Sequence, residues 1–327
     1  MTNENIIHRC TSRAPLRVSA VSLFSGCGGS DLALEQCGFR VRWANDISPL
    51  ACATYRDNFE NSAIKEGDIR DFRRFPNAQL LVGCYPCQGY SQGGKRTSNV
   101  PINYLYREFD RALRWIYPRA FIVENVSGMT HRENEHLLRN QLRRFRLAGY
   151  HVVWKVLDAK DYGVPQTRRR IFLVGIRSDL GLTYIFPEPS HGPDRLKPHV
   201  TQRDAIGRLP LWPEGKYCNE PLHWYYLSRN RRHDWDEPAP CIVGHWRNVP
   251  LHPVSPSLRK VDRDWWMFSS KSPARRLSYE ECARLQGFPA SWRWKRGRLR
   301  DRFQLIGNAV PPPLFKAVLK AMPPIWN

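Results

Sequence analysis

The sequence predicts an α/β protein: a mostly parallel sheet with helices on both faces, and a smaller irregular domain set into its second half. Three observations carry this. Short apolar runs alternate with amphipathic stretches between residues 18 and 176. The first apolar run ends in a glycine-rich turn. From about residue 184 to residue 274 proline and aromatic residues are frequent and helical periodicity is absent. Alternating strands and helices imply parallel strands joined by crossover helices.

In order, residues 1–16 read as a loose leader. Residues 18–24 read as a buried strand and residues 31–36 as a helix, with Gly38 as its end signal. A strand over 41–44, a helix over 50–59 and a short strand over 80–83 follow. The amphipathic stretch 104–117 predicts a helix that Pro118 stops, since proline cannot continue the hydrogen-bond ladder. Residues 120–123 read as a strand, 133–147 as a helix, and 150–157 and 170–176 as two more strands. The chain closes with a helix over 276–286, a basic loop over 293–302 and a final helix after Pro313. The main domain is therefore expected over 17–183 and 303–327, with the smaller one over 184–302.

Composition narrows the function. The chain has 327 residues, 42% hydrophobic and 25% charged, the balance of a water-soluble globular protein. No apolar run approaches the roughly 20 residues a membrane span needs, and the amino terminus lacks a secretory core. A cytoplasmic protein with no membrane partner is expected. Lysine plus arginine total 51 against 30 acidic residues, a formal charge of +21, which favours a polyanionic partner. Nine scattered cysteines do not make a disulfide framework. Cys84 and Cys87 have Cys-x-x-Cys spacing, but no second pair at metal spacing follows, which argues against zinc; no metal is expected.

Several segments have the makings of a site. Phe24-Ser25-Gly26-Cys27-Gly28-Gly29-Ser30-Asp31 leads from the first strand into the first helix, where glycine lets the backbone approach a ligand. A nicotinamide fingerprint would place a third glycine where Asp31 stands. Asp46, at the end of the second strand, stands where an acidic group can accept from ribose hydroxyls. Pro86-Cys87-Gln88-Gly89-Tyr90-Ser91 places a potential thiolate nucleophile just past the carboxyl end of a strand. Gly93, Gly94, Lys95 and Arg96 suggest a cationic loop able to close over a polyanion. Glu124-Asn125 ends a strand on the same sheet edge, where burial would keep a carboxyl protonated. In Gln166-Thr167-Arg168-Arg169-Arg170 the extended period puts Arg168 and Arg170 on one face, suited to phosphate or a carbonyl oxygen. Singly, each segment also fits a structural turn, a surface carboxylate or a solvated basic face.

Taken together and in this order, the segments resemble the motifs of the C5-cytosine-specific DNA methyltransferases of the bacterial restriction-modification type. The resemblance implies the Rossmann-like fold of S-adenosylmethionine-dependent methyltransferases plus a target-recognition domain over 184–302. Phe24, Ser25, Gly26, Gly28 and Gly29 match the motif that holds the methionine part of the cofactor. Asp46 stands where the family has a ribose-binding glutamate, and Ile47 where many members stack an aromatic ring on adenine. Asp68 and Ile69, in Gly67-Asp68-Ile69, match the adenine contact, and Pro86 and Leu105 match further cofactor contacts. Asn308 and Ala309, in Gly307-Asn308-Ala309-Val310, match the motif that returns to the cofactor. Cys87 matches the nucleophile, Glu124 the acid, and Arg168 and Arg170 the arginine motif. The stretch 276–289 matches the motif that supports the recognition domain. Gln88, Ser91, Lys95, Arg96 and Gln166 are expected to face DNA, with Arg229, Arg231 and Arg232 in the recognition domain. Gly83-Cys84-Tyr85 departs from the family's usual run, and Asp46 is one methylene shorter than the usual glutamate.

The resemblance implies a mechanism. The Cys87 thiolate adds to carbon 6 of a flipped-out cytosine, Glu124 hydrogen-bonds or protonates N3, and Arg170 holds O2. The Tyr85 carbonyl accepts from the exocyclic amine, and carbon 5 takes the methyl group. The alternatives are a transfer-RNA methyltransferase, since one family branch uses these motifs on RNA, a catalytically silent DNA-binding homologue, and a nicotinamide oxidoreductase. The long basic insert favours double-stranded DNA, whose major groove needs a dedicated reader. A monomer is expected, with a cognate restriction endonuclease as the partner by function.

Overall fold

A computed structural model describes residues 18–60, 62–86 and 101–326 of the chain. Seven strands form one sheet in the order β3-β2-β1-β4-β5-β7-β6. The strands are β1 (Ser19–Leu23), β2 (Arg40–Asp46), β3 (Ile64–Glu66), β4 (Leu80–Gly83), β5 (Ala120–Val126), β6 (Tyr150–Asp158) and β7 (Arg169–Arg177). The pairs among β3, β2, β1, β4 and β5 are parallel, while β7 runs antiparallel to both β5 and β6. The sequence-predicted α/β class is thus the observed one. β3, three residues long, escaped the sequence reading.

Helices α1 (Gly29–Gln36), α2 (Pro49–Asn58), α3 (Tyr106–Ile116) and α4 (Glu135–Leu147) join the strands. Side-chain alternation along β1 explains the two covered faces. Val21 and Leu23 pack with Phe109, Leu113, Phe121 and Phe145 beneath α3 and α4. Ala20 points the other way, into a cluster with Leu34 of α1 and Leu314, Phe315 and Val318 of the last helix. Local chemistry fixes the ends. Ser48 caps α2, its hydroxyl accepting from the Ala51 amide, and Pro49 occupies the first helical position. α3 ends at Tyr117 (φ 49°), just before Pro118.

The segment 184–302 is less irregular than its sequence suggests. It holds α5 (Gln202–Ile206), capped reciprocally by Thr201 and Asp204, and a two-stranded ribbon of β8 (Leu258–Asp262) and β9 (Trp265–Phe268). Two helices follow around its end: α6 (Tyr279–Leu285) and α7 (Leu299–Asn308). The start of α7 reads as part of a basic loop in the sequence because Arg300, Asp301 and Arg302 fill most of its first turn. Arg293 and Arg296 of the basic loop are exposed and also clamp α2: Arg296 makes a bidentate pair with Asp57 (2.7 and 2.8 Å), and the Arg293 amide donates to Asn58 Oδ1 (2.7 Å). The final helix, α8 (Pro312–Lys320), packs on α1. The apolar side chains of this second half join α2: Leu277, Leu285, Phe288, Trp292, Phe303 and Ile306 share one cluster with Cys52, Tyr55 and Phe59. No helix among the described residues is long and apolar enough to cross a membrane.

One buried ionic cluster fixes the start of α6. Glu281 accepts from both terminal guanidinium nitrogens of Arg275 (2.7 and 2.8 Å) and from the Ser278 amide (2.7 Å), and His252 Nε2 lies 3.4 Å away. Burial pushes the His252 pKa down to about 4. Its Nδ1 accepts from the Val254 amide, so the neutral ring carries its proton on Nε2, toward Glu281. Arg275→Met would strand the Glu281 charge, and a stranded buried charge costs about 3–5 kcal/mol. Equilibrium urea unfolding should show that loss; a change below about 1 kcal/mol contradicts the assignment.

Candidate active site

The strand order reverses between β1 and β4. The chain moves outward through β2 and β3, then returns to place β4 and β5 on the other side of β1. A crevice opens at the carboxyl ends of such a strand pair, and ligands bind there in open α/β sheets. Of the segments singled out in the sequence, the turn after β1, Asp46, Tyr85 and Glu124 with Arg170 meet at that edge.

The first wall is the turn after β1. Phe24 has φ 58°, unusual for a residue with a side chain, and Gly26 and Gly28 are also left-handed (56° and 94°). Crossed hydrogen bonds hold this path. The Ser25 amide donates to Asn45 O (2.9 Å), the Gly26 amide to Asp46 Oδ2 (2.8 Å), and the Ser25 hydroxyl reaches Ser22 O and Oγ (both 3.0 Å). Asp46 also accepts from the Ser48 amide through Oδ1 (2.9 Å). The carboxylate expected to serve ribose thus has one lone pair of each oxygen committed to backbone. Ile47 is 65% exposed at this edge. The buried Asn45 amide ties the end of β2 to Lys65 O and Gly67 O (3.0 and 2.9 Å), which brings Gly67-Asp68-Ile69 alongside. Asp68 caps the turn that follows by accepting from the Arg70 amide, and its pairing with the Arg70 guanidinium holds its carboxyl below the usual range. Ile69 is buried, and Leu105 sits at the head of α3 against the same core.

The last motif closes against this turn. A Cβ on Gly29 would stand 2.4 Å from the Val310 carbonyl oxygen, so only glycine lets α1 begin there. Asn308 is exposed beside Gly244, while Ala309 offers its carbonyl to Gln286 and Arg168.

The second wall is the ends of β4, β5 and β7. The Phe24 ring meets Tyr85 edge to face (6.0 Å), and the Asn125 amide donates to Tyr85 O (3.2 Å). Pro86 follows, half-buried. Glu124 is buried, and Arg170 Nε lies 3.0 Å from its Oε1. Antiparallel register delivers this pair, because Arg170 sits opposite Val126, two residues past Glu124. Burial pushes the Glu124 carboxyl above the ordinary range, and Arg170, then Arg168, pull it back. The Cys84 thiol stands against Glu124 and is pushed well above its usual value by burial, so it stays protonated and inert. Cys87, Gln88, Ser91, Lys95 and Arg96 lie outside the described residues.

The structure separates Arg168 from Arg170. Arg168 turns inward, donating to Ile242 O and Gly307 O (both 2.8 Å) and Ala309 O (3.1 Å), and burial pushes its pKa down to about 10. Gln166, expected at DNA, is instead fully buried: its amide donates to Leu285 O (2.9 Å) and to Gln286, and accepts from the Ile242 amide (3.0 Å). These two residues seam the sheet to the second half of the chain. Arg232, also expected at DNA, spends its guanidinium on Ser255 O, Pro253 O and Asp234 (2.7, 3.1 and 2.7 Å). Arg231 lies over the Tyr226 ring and donates to Tyr226 O (2.9 Å). Arg229 is exposed. Sequence reasoning missed Asn45 and took Gln286 only as part of the 276–289 motif, since both roles depend on what lies across the fold.

A family model described as C-5 cytosine-specific DNA methylase matches residues 18–323. The chain belongs to the C5 cytosine-specific DNA methylase family. It is similar to the type II methyltransferase M.BsuRI of Bacillus subtilis, at 37% identity over 92% of this chain and 78% of that protein. It is 36% identical to M.FnuDI of Fusobacterium nucleatum over 92% of each. Among solved structures, the Schizosaccharomyces pombe Dnmt2 methyltransferase superposes with a TM-score of 0.68 at 18% identity, covering 93% of this chain and 97% of that one. The Entamoeba histolytica methyltransferase EhMeth gives 0.69 at 15% identity, covering 94% and 98%. These two share the fold. Family membership makes the chain a methyltransferase whose substrate atom is carbon 5 of cytosine.

Arg170→Gln tests the ion pair. Without that guanidinium, burial is opposed by Arg168 alone, so the Glu124 carboxyl titrates higher still. Single-turnover methyl transfer should slow by about 10²–10³, the cost of losing one oriented donor, and the alkaline limb of its pH profile should move upward. A limb that stays in place contradicts the pairing.

Proposed function

We propose that this chain methylates carbon 5 of cytosine at one short sequence in double-stranded DNA, using S-adenosylmethionine and Cys87 as covalent nucleophile, within a restriction-modification system. The observation that carries the reading is the buried Glu124–Arg170 pair on the sheet edge where β4 delivers the chain toward Cys87.

Carbon 5 of cytosine is a poor nucleophile. Addition of the Cys87 thiolate to carbon 6 turns the ring into an enamine and makes carbon 5 reactive. Burial raises the Glu124 carboxyl and so favours the protonated form, which donates to N3 as charge builds there. Arg170 orients Glu124 and offers its remaining donors to O2. The Tyr85 carbonyl, which also accepts from Asn125, accepts from the exocyclic amine. Loss of the carbon-5 proton and of Cys87 then restores the ring.

The residues present fit the cofactor. S-adenosylmethionine, when bound, supplies the electrophilic methyl group. The left-handed turn at Phe24–Gly28 and the start of α1 suit its carboxylate. The free lone pairs of Asp46 suit the ribose, and exposed Ile47 with the 67–69 segment suits adenine. Pro86, Leu105, Asn308 and Ala309 complete the proposed contacts, and the orphaned carboxylate of Asp31 beneath the turn fits a cationic ligand.

A net charge of +21 supports a nucleic-acid substrate. Residues 184–302 are proposed as the reader. The β8–β9 ribbon supports this, since its Arg259, Lys260 and Trp265 are exposed and a two-stranded ribbon fits the major groove. Exposed Arg229 belongs to the same proposal. The relatives' type II names support a place beside a restriction endonuclease, with the methylase acting as a single chain on DNA in the cytoplasm.

Labelled S-adenosylmethionine should transfer its methyl to unmethylated duplex DNA, and base-resolution mapping should place it on cytosine at one sequence. Cys87→Ala should transfer none. Label on transfer RNA alone moves the reading to the RNA branch, and full activity of Cys87→Ala contradicts the covalent route.

A further inference from the structure

Asp31 is fully buried on the first turn of α1, yet neither carboxylate oxygen has a hydrogen-bond partner. The Ser22, Ser25 and Tyr55 hydroxyls stand near enough to favour its charged form, but not in bonding geometry. The charged and titratable groups that face it are Glu35 on its own helix, Tyr55 on α2, Cys27 in the glycine-rich turn and Cys84 after β4. None is a cation. Burial therefore pushes the Asp31 carboxyl up to about 7. A buried carboxyl without a partner weakens a fold, and an asparagine of equal size would avoid the charge at no cost in volume.

Its position suggests what offsets the cost. Asp31 lies two residues beyond Gly29, about 3 Å along the helix axis, directly behind the turn proposed to hold the methyl donor. The donor is a sulfonium cation, whereas the thioether left after transfer carries no charge on sulfur. We propose that Asp31 is the counter-charge for the methyl donor and sets the preference of this site for S-adenosylmethionine over S-adenosylhomocysteine. The inference rests on the cofactor reading above. It acts through the field across a dry interior and needs no contact: opposite charges within about 10 Å at an effective dielectric near 20 change affinity by roughly tenfold or more.

The signs follow from linkage. The folded-state pKa of Asp31 is raised above the unfolded one, so its contribution to stability is present below about pH 4 and lost as pH rises through about 7. A bound cation favours the ionised form. Donor binding should therefore release a proton near neutrality and tighten as pH rises, while thioether binding should not.

Titration calorimetry of the full-length chain with both ligands, at about pH 6 and about pH 8, reads this directly. The donor-to-thioether affinity ratio should rise about tenfold with pH in the native protein. In Asp31→Asn it should be lower at the higher pH and flat, and that variant should melt no lower than the native protein there. The ligands' own ammonium groups titrate alike in both proteins and cancel in the comparison. Should Asp31→Asn fail to fold, proton release by the native protein in two buffers of different ionisation enthalpy decides: release with the donor and not the thioether supports the proposal, and equal release overturns it. An Asp31→Asn ratio and pH slope equal to the native ones overturn this inference alone. Binding of neither ligand overturns the cofactor reading with it.

Discussion

The reversal of strand order between β1 and β4 is the constraint on which the rest of the site depends. Parallel strands point their carboxyl ends the same way, so connections that diverge on either side of β1 leave an open crevice at one edge. Phe24, Asp46, Tyr85 and Glu124 all stand at that edge because each lies within two residues of the carboxyl end of a strand of the same sheet. The antiparallel β7 then brings Arg170 back from the opposite direction to meet Glu124. A wholly parallel arrangement would begin β7 at the far edge and leave that carboxylate without its partner.

Charge buried without water shapes the remainder. Glu124 and Asp31 are both pushed toward their neutral forms by burial, but only Glu124 has an arginine beside it. In the proposed mechanism they do different work: Glu124 donates to the base where charge develops, and Asp31 offsets the charge of a cation. The buried arginines serve cohesion. Arg168 collects three carbonyls from two segments, and Arg276 collects those of Arg247, Cys218, Glu220 and Pro221. A buried guanidinium has five donors to satisfy, and loop carbonyls far apart in sequence satisfy them. Among the described residues of 184–302 only Arg275 and Arg276 of the cationic side chains are buried, so most of that segment's positive charge stays at the surface.

The fold was legible because periodicity is a local signal. The apolar runs at β1, β4 and β5, the stop at Pro118 and the glycine turn each announce themselves within a few residues. β3 was too short to show a period, and α7 was hidden by the charges of its opening turn. The candidate site was legible where a residue type implies its chemistry, as with Glu124 and the turn at Phe24. It was not legible for Gln166, Arg168 and Arg232, because a donor-rich side chain looks the same facing a phosphate or a carbonyl. Only the partner distinguishes the two, and for Gln166 and Arg168 the chain brings it more than 70 residues later, for Arg232 up to 23 residues later. Asp31 marked a departure from a nicotinamide fingerprint, and its isolation became visible only with α2 packed across it.

The central claim is a covalent route on cytosine, and trapping tests it most directly. A duplex carrying 5-fluorocytosine in the target position, incubated with the chain and the methyl donor, allows addition and methylation but blocks the final elimination, because carbon 5 has no proton to lose. Mass spectrometry of the digested complex should find the DNA joined to the peptide containing Cys87, and to no other. An adduct on a different residue, or active protein that methylates DNA and leaves no adduct on this substrate, contradicts the account.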